Sequence, residues 1–328
     1  MKTFVSHDTA LSYWRMHFPL DSELGKPANS SSAEECAARI ADVFACVQEM
    51  FRTPGKPVDV LVFSPETRQV SNSVKCRVWS SSVPNGAFFR VGDMMVSSPE
   101  FVYLQMARSL STAQLVALGC ELCGHYALRP GGTSRSGDLG VCPTRTAPLT
   151  NIDSIGRFLA ASCGAPGLVN ASRALKHVVE GSRSPMETMT ALFLALPPTL
   201  GGYGFERPVM NAYIELDEEA RTIARRRYCQ GDICWPEHKL DIEYDGEVHV
   251  GAAQMRSDAG RKLGIERMGW RVLTVTSAQV LDIDRFEVVA REAARRMKRT
   301  LKTRIMGHTV KRLALRQDLE EWTFGIGH

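Results

Sequence analysis

Residues 228–249, YCQGDICWPEHKLDIEYDGEVH, decide how the C-terminal part of this chain folds. Two short apolar runs in this stretch, residues 232–235 and 240–244, are separated by the tetrapeptide Pro-Glu-His-Lys. Paired runs of this length with a short polar connection predict a β-hairpin. A turn centred on residues 237–238 sets the register of the two strands.

The second run of the hairpin alternates acidic and apolar residues. Because strand side chains alternate between two faces, Asp241, Glu243 and Asp245 are predicted to share one face. The register places Asp232 of the first strand across from Glu243, with roughly 5 Å between Cβ atoms, and like charges so placed repel. A hard cation such as Mg²⁺, which takes oxygen ligands, compensates them. The alternative is an acidic edge exposed to solvent, which prevents pairing between sheet edges.

The residues that follow the hairpin extend this pattern. His249 comes soon after the second strand, and a helical segment with Asp258, Arg261 and Lys262 is next. Residues 270–276 are then typical of another strand. Asp258 and Arg261 stand three residues apart, so an ion pair within the helix accounts for them equally well.

Taken in order, these residues resemble the DUF559 group of very-short-patch-repair-like endonucleases, which belongs to the PD-(D/E)xK nuclease superfamily. The resemblance covers residues 208–300 and rests on an ordered set of short motifs. They are Asp232, Pro236-Glu237, Lys239-Leu240, Glu243-Tyr244-Asp245-Gly246, His249, Asp258 with Arg261, and Gly269-Trp270-Arg271-Val272-Leu273. The resemblance implies a small mixed sheet flanked by helices that cuts DNA with Mg²⁺, for which Mn²⁺ can substitute.

The resemblance also implies roles for individual residues. Asp232 matches the first metal-binding aspartate and Glu243 the central glutamate, while Asp245 adds a metal-binding oxygen or fixes waters. His249 is expected to act as general base, because an imidazole titrates near neutral pH. Arg261, or the lysine next to it, is expected to contact the phosphate as a cation.

Two residues depart from the pattern of the superfamily. Asp245 stands where a lysine is usual, although the very-short-patch group is similar in carrying an acid there. Thr274 stands where the family commonly has an arginine, which removes a phosphate contact.

The composition is that of an ordinary globular protein, with 44% hydrophobic and 23% charged residues among 328. This length is sufficient for two domains with cores of their own. The predicted fold class is mixed α/β. We expect an α/β domain in residues 1–128, a Gly/Ser-rich loop and helical linker in 129–183, and a restriction-endonuclease-like domain in 184–328.

The N-terminal half carries both helix and strand signals. Ser32 and Glu35 form a predicted capping box for a helix that ends near residue 51, and Pro99 and Thr112 begin two further helices. The layout, with the run Val96-Ser97-Ser98-Pro99-Glu100, is similar to the C-terminal portion of abortive-infection AbiEi-type proteins. Strands are predicted at residues 58–63, 74–79 and 88–96, and later helices at 152–161, at 168–180 and after Ser184.

No signal peptide is evident near residue 1, and the apolar runs are too short to cross a bilayer. A cytoplasmic protein without a membrane partner is therefore expected, and its nine cysteines are expected to be reduced thiols. Cys120 and Cys123 form a CxxC pair, but a zinc site requires four suitably spaced ligands. We predict that both are buried helix cysteines.

Positive charge is concentrated near the C-terminus. Residues 285–316 contain eleven Lys or Arg against two Glu, in a chain whose net charge is only +4. We predict a basic helix that binds DNA phosphates through Arg295, Lys298, Arg299 and Lys302, with release of counterions. The alternative is an amphipathic helix whose charged face is merely solvated.

The sequence therefore predicts a Mg²⁺-dependent DNA endonuclease, in bacterial defence, repair or mobile-element maintenance. The alternative is a catalytically weak or inactive DNA-binding regulator, or a toxin–antitoxin (abortive-infection) component. A purely structural partner protein is a third reading, which the unbalanced acidic face disfavours.

Overall fold

The protein is a mixed α/β protein, as predicted, with two mixed sheets. It divides into two compact units, of which the first extends to Val178 and the second begins at Val179, with Gly124–Tyr126 belonging to the second. Residues 145–178, predicted as part of a linker, pack with the first unit. The computed structural model describes residues 3–17, 27–28, 57–68, 71–92, 94–128, 144–246, 252–301 and 307–325, without the side chains of 27–28 and 252–259.

The sheet of the first unit is formed by β1 (Thr3–Val5), β2 (Pro27–Ala28), β3 (Val58–Val62), β4 (Val74–Val78), β5 (Phe88–Val91) and β6 (Met94–Ser97). Their spatial order is β2-β5-β6-β1-β3-β4. β1 is parallel to β6 and antiparallel to β3, and β3 is parallel to β4. Every residue of β3 and β6 is buried, as expected of strands that are covered on both faces.

The helices of the first unit are α1 (His7–Met16), α2 (Pro99–Met106), α3 (Thr112–Leu122), α4 (Ile152–Ala161) and α5 (Leu168–Leu175). The Ser98 hydroxyl accepts the N–H of Phe101 and so caps α2, which begins with proline as predicted. Ser111 and Gln114 form a capping box at the start of α3. Cys120 is buried in α3 and Cys123 is buried at its C-terminal cap, in agreement with the prediction.

Two predictions in the first unit are wrong. Residues 88–96 form two antiparallel strands rather than one, because the chain reverses at Gly92, whose φ of +56° is a conformation that glycine adopts at no steric cost. The helix predicted for residues 168–180 ends at Leu175. The helix predicted at residues 32–51 and most of the Gly/Ser-rich loop lie outside the described residues.

The sheet of the second unit consists of β7 (Val209–Glu215), β8 (Tyr228–Trp235), β9 (Leu240–Asp245) and β10 (Arg271–Thr276), in the order β10-β9-β8-β7. β8 is antiparallel to both of its neighbours, whereas β9 and β10 are parallel. A hydrophobic cluster that includes Ile214, Cys229, Ile265 and Trp270 packs against this sheet.

The helices of the second unit are α6 (Pro185–Ala195), α7 (Glu218–Ala224), α8 (Ala252–Arg267), α9 (Ser277–Leu281), α10 (Ile283–Arg296) and α11 (His308–Phe324). The single basic helix predicted across residues 285–316 is wrong, because α10 ends at Arg296 and α11 begins only after Gly307, whose φ is +77°. Within the described ranges no helix has the length and apolar character needed to cross a membrane.

Candidate functional site

The predicted hairpin is formed by β8 and β9. Its ladder pairs Trp235 with Leu240 and Ile233 with Ile242, which is the register that a turn centred on residues 237–238 predicts. The ladder ends there, and the N–H of Tyr244 donates instead to Oδ2 of Asp232 at 3.0 Å. Asp232 is thus held in the gap where the two strands separate.

The carboxyl group of Asp232 lies in an environment that disfavours its charge. Burial, followed by the repulsion from Glu187 and Glu243, raises its pKa to about 7, although the Tyr244 N–H and Arg261 act in the opposite direction. The structure therefore brings Asp232 and Glu243 into electrostatic contact, as the sequence predicted. A carboxyl group titrating near neutral pH inside an acidic cluster is a feature of functional sites.

Glu187 is a member of the site that the sequence did not assign to it. It lies in the first turn of α6, where its carboxylate accepts hydrogen bonds from the Ser184 hydroxyl (2.9 Å), the Arg183 N–H (2.9 Å) and the Asn211 amide (2.8 Å). Burial nevertheless raises its pKa. Its only signal in the sequence was the Ser-x-x-Glu capping pattern, which does not reveal which strand the helix covers.

Asn211 holds an unusual backbone conformation beside Asp232. Its φ of +50° lies in the left-handed region, which asparagine tolerates better than most residues. The β7–β8 ladder pairs Met210 with Ile233 and Ala212 with Gly231, so the same register places Asn211 across from Asp232. The irregular backbone lets the Asn211 amide reach the carboxylate of Glu187 and the Gly181 carbonyl.

Asp241 is the most deeply buried acid of the site. Its side chain is fully buried, its Oδ1 lies 3.4 Å from the Cys234 thiol, and its Oδ2 has no hydrogen-bond partner among the described residues. Burial, followed by the charges of Glu243 and Asp232, raises its pKa. A Cβ at Gly231 would lie 2.6 Å from Oδ2 of Asp241, so only glycine leaves room for this carboxyl group.

Arg261 enters the site from α8. Its Nη1 lies 2.5 Å from Oε1 of Glu243 and donates to the Gln230 carbonyl at 3.2 Å. The predicted arginine and the predicted glutamate are therefore neighbours, in a half-buried ion pair between helix and strand. The side chain of Asp258, the other predicted partner of Arg261, lies outside the described residues.

The remaining predicted site residues are less closely associated. Asp245 is exposed at the end of β9, and His249 lies outside the described residues. Across the described part of the chain, no group of three or more His, Cys, Asp or Glu side chains is arranged to hold a metal ion. The three predicted metal ligands Asp232, Glu243 and Asp245 thus do not form such a group.

The predicted DNA-binding cations lie in the last turn of α10 and in the residues after it. Arg295 pairs with a glutamate of its own helix at 2.7 Å, and the guanidinium of Arg299 lies 5.2 Å from the centre of the Phe205 ring. Lys298 is exposed, with a left-handed φ of +53°, and Lys302 lies outside the described residues. Two of the four cations therefore have partners within the protein. The ion pair of Arg295 is exposed to solvent and therefore weak, so a phosphate can compete for this guanidinium.

Comparison with family models, curated proteins and solved structures found no match for this chain. The site combines four buried or half-buried carboxyl groups with one guanidinium, that of Arg261. Two of the acids, Asp232 and Glu243, lie where the β8–β9 ladder ends.

Proposed function

We propose that the second unit hydrolyses phosphodiester bonds of DNA, with Asp232 and Glu243 as ligands of a divalent cation. The observation that carries this proposal is the crowding of carboxyl groups where the β8–β9 ladder ends. Burial, together with the repulsion from Glu187 and Glu243, raises the pKa of Asp232 to about 7, and Arg261 is the one cation that an ion pair joins to the described acids of the cluster. A bound cation would offset the remaining repulsion.

The residues fit a hard divalent cation. Mg²⁺ is usually held by one or two carboxylates together with waters and substrate phosphates, so Asp232 and Glu243 suffice. The Oδ2 of Asp241 is a further buried acceptor without a hydrogen-bond partner among the described residues. When bound, Mg²⁺ or Mn²⁺ supplies activation of a water and neutralisation of charge on the phosphate.

Neighbouring backbone and side-chain groups position these carboxylates. The Tyr244 N–H fixes one oxygen of Asp232 and thereby the direction of the other. Arg261, anchored on the Gln230 carbonyl, supplies a guanidinium that binds a phosphate oxygen. The role of His249 as general base rests on the sequence resemblance.

One observation favours a second candidate function, a DNA-binding regulator that does not cut. The Arg261 guanidinium lies against Glu243, where it provides the compensating positive charge without a metal. If this ion pair persists when DNA is bound, Glu243 is not free to bind a cation. Asp245, in the place of the usual lysine, is consistent with the same reading.

Cleavage of supercoiled and linear plasmid by the full-length protein distinguishes the two candidates. In Mg²⁺ or Mn²⁺ we expect cutting that EDTA abolishes and that Glu243→Gln reduces at least about 100-fold. Glu237→Gln is the matched control, because this glutamate is exposed in the turn of the same hairpin. Salt-sensitive DNA binding without cutting would support the regulator. Absence of both metal binding by calorimetry and DNA binding would refute both candidates.

A further inference from the structure

The outer strand of the second sheet and its neighbour, β7 and β8, together present two exposed aromatic side chains. Tyr213 of β7 is 68% exposed and Tyr228 of β8 is 55% exposed. Their rings form an edge-to-face pair, with centroids 5.2 Å apart and planes at 71°. Tyrosine buries a large area when it is covered, so a paired exposure of this kind marks a surface that binds something.

The groups around this pair are polar or positively charged. Tyr213 stands across from Gln230, whose side-chain oxygen accepts a hydrogen bond from exposed Arg183 at 2.7 Å. The three arginines at residues 225–227 directly precede Tyr228 and are all exposed. We refer to Tyr213, Tyr228, Gln230 and Arg183 as the tyrosine surface.

Glu215, the acidic residue directly across from Tyr228, is already compensated. Its carboxylate accepts a hydrogen bond from Arg221 at 3.0 Å. The surroundings of the rings therefore favour a polyanion. Planar rings flanked by guanidinium groups are the combination that binds the bases and the phosphates of a nucleic acid strand together.

The tyrosine surface is continuous with the carboxylate site. Because Tyr213 pairs with Gln230, Asp232 is its diagonal neighbour on the adjacent strand, and such neighbours lie roughly 7–8 Å apart. Asn211 and Asp232 stand opposite each other in the same register. A strand whose base contacts Tyr213 thus has its backbone within a nucleotide or two of Asp232.

We propose that the tyrosine surface stacks unpaired bases of single-stranded DNA, or of a locally unpaired segment, and delivers the adjoining phosphate to Asp232 and Glu243. This inference rests on the proposed nuclease function and names its substrate class. Paired and stacked bases in a duplex conceal the faces that a tyrosine ring contacts, whereas an unpaired strand offers them. The arginines hold the backbone without reading its sequence.

The test is fluorescence anisotropy of a labelled 20-nucleotide single strand and of the matching duplex, with full-length protein in EDTA so that no cutting occurs. We expect tighter binding of the single strand, and a loss of roughly 5- to 100-fold for Tyr213→Ala or Tyr228→Ala, as removal of one stacked base contact predicts. Tyr213→Phe keeps the ring and should retain binding. Val288→Ala, which removes exposed apolar surface on α10, is the control.

Equal affinity for single strand and duplex, or unchanged binding of the alanine variants, would overturn the inference. So would a wild-type protein that self-associates in sedimentation through these rings, since a second copy would then cover the surface. Cleavage is measured in parallel with Mg²⁺ and Glu243→Gln. Ring-dependent binding without any cutting would refute the nuclease function alone, whereas cutting that ignores both tyrosines would refute only the stacking surface.

Discussion

Replacement of Asp232 by asparagine is expected to stabilise the metal-free protein. The native pKa of Asp232 is raised from 3.8 to about 7, so between these values the folded state binds more protons than the unfolded chain. The free energy of unfolding therefore falls as the pH rises from about 4 to about 7. A difference of about three pKa units corresponds to roughly 4 kcal/mol as an upper value. Asparagine removes the charge and keeps an oxygen for the Tyr244 N–H.

We expect Asp232→Asn to raise the free energy of unfolding by about 2–4 kcal/mol at pH 8 in EDTA, and by almost nothing at pH 4. Urea titrations followed by circular dichroism measure this, and the transition of the second unit is the one that should move. Glu237→Gln is the control, because its exposed carboxylate in the turn of the same hairpin should change stability by no more than about 0.5 kcal/mol.

Addition of Mg²⁺ supplies the second arm of this experiment. At 100 times its dissociation constant, a cation that binds only the folded state adds about 2.7 kcal/mol. Wild-type protein should show this gain and Asp232→Asn should lose most of it. If Asp232→Asn is no more stable than wild type at pH 8, the carboxylate is already compensated within the protein, and the reasoning behind the proposed metal site fails.

Three further predictions concern particular contacts. Glu121→Gln should destabilise the first unit by about 2–3 kcal/mol at pH 7, because it leaves the half-buried guanidinium of Arg15 without its carboxylate. Since Arg15 and other partners lower the pKa of Glu121, that stabilisation should be lost in the wild type as the pH falls below about 4, which acid titration of unfolding would show. Gly202→Ala should cost about 1–3 kcal/mol in thermal unfolding, because a Cβ there would overlap the Leu196 carbonyl. Asn211→Ala should cost about 1–3 kcal/mol, through its lost hydrogen bonds and its left-handed φ, and Asn211→Gly should relieve only the backbone part.

The register of the β8–β9 hairpin was predictable from the sequence for a local reason. Strand alternation and the length of the connection between the apolar runs together fix which residues face each other. The pairing of Trp235 with Leu240 follows from these alone, and the nearness of Asp232 to Glu243 follows from that pairing. No knowledge of the rest of the fold was needed.

The distribution of burial among the acids was not predictable in the same way. Asp241 and Asp245 share a face of β9 by alternation, yet one is fully buried and the other is exposed. Which end of a strand is covered depends on the elements that pack over it, and these are distant in sequence. Glu187 was missed for the same reason, because its place beside Asp232 results from the docking of α6.

In the basic segment, residues 285–316, a strong sequence signal led to a wrong prediction of secondary structure. Its charge was read as a single helix, but Gly307 lies in the left-handed region between two helices. Several of its arginines also pair with glutamates inside the segment, as Arg291 and Arg312 do with Glu287. The net charge of a segment gives the excess of Lys and Arg over Asp and Glu, but it does not show which of these cations form ion pairs within the protein.

Buried Glu121 and the carboxyl groups around Asp232 are compensated differently, and the difference bears on function. In the first unit, fully buried Glu121 is joined to Arg15 at 2.7 Å, and its pKa is lowered despite the cost of burial. In the second, the pKa values of Asp232 and Asp241 are raised, and Arg261 pairs with their neighbour rather than with either of them. Folding alone favours the first arrangement, because an uncompensated buried acid lowers stability at neutral pH. The second arrangement is what a site requires if its compensating charge arrives with a ligand.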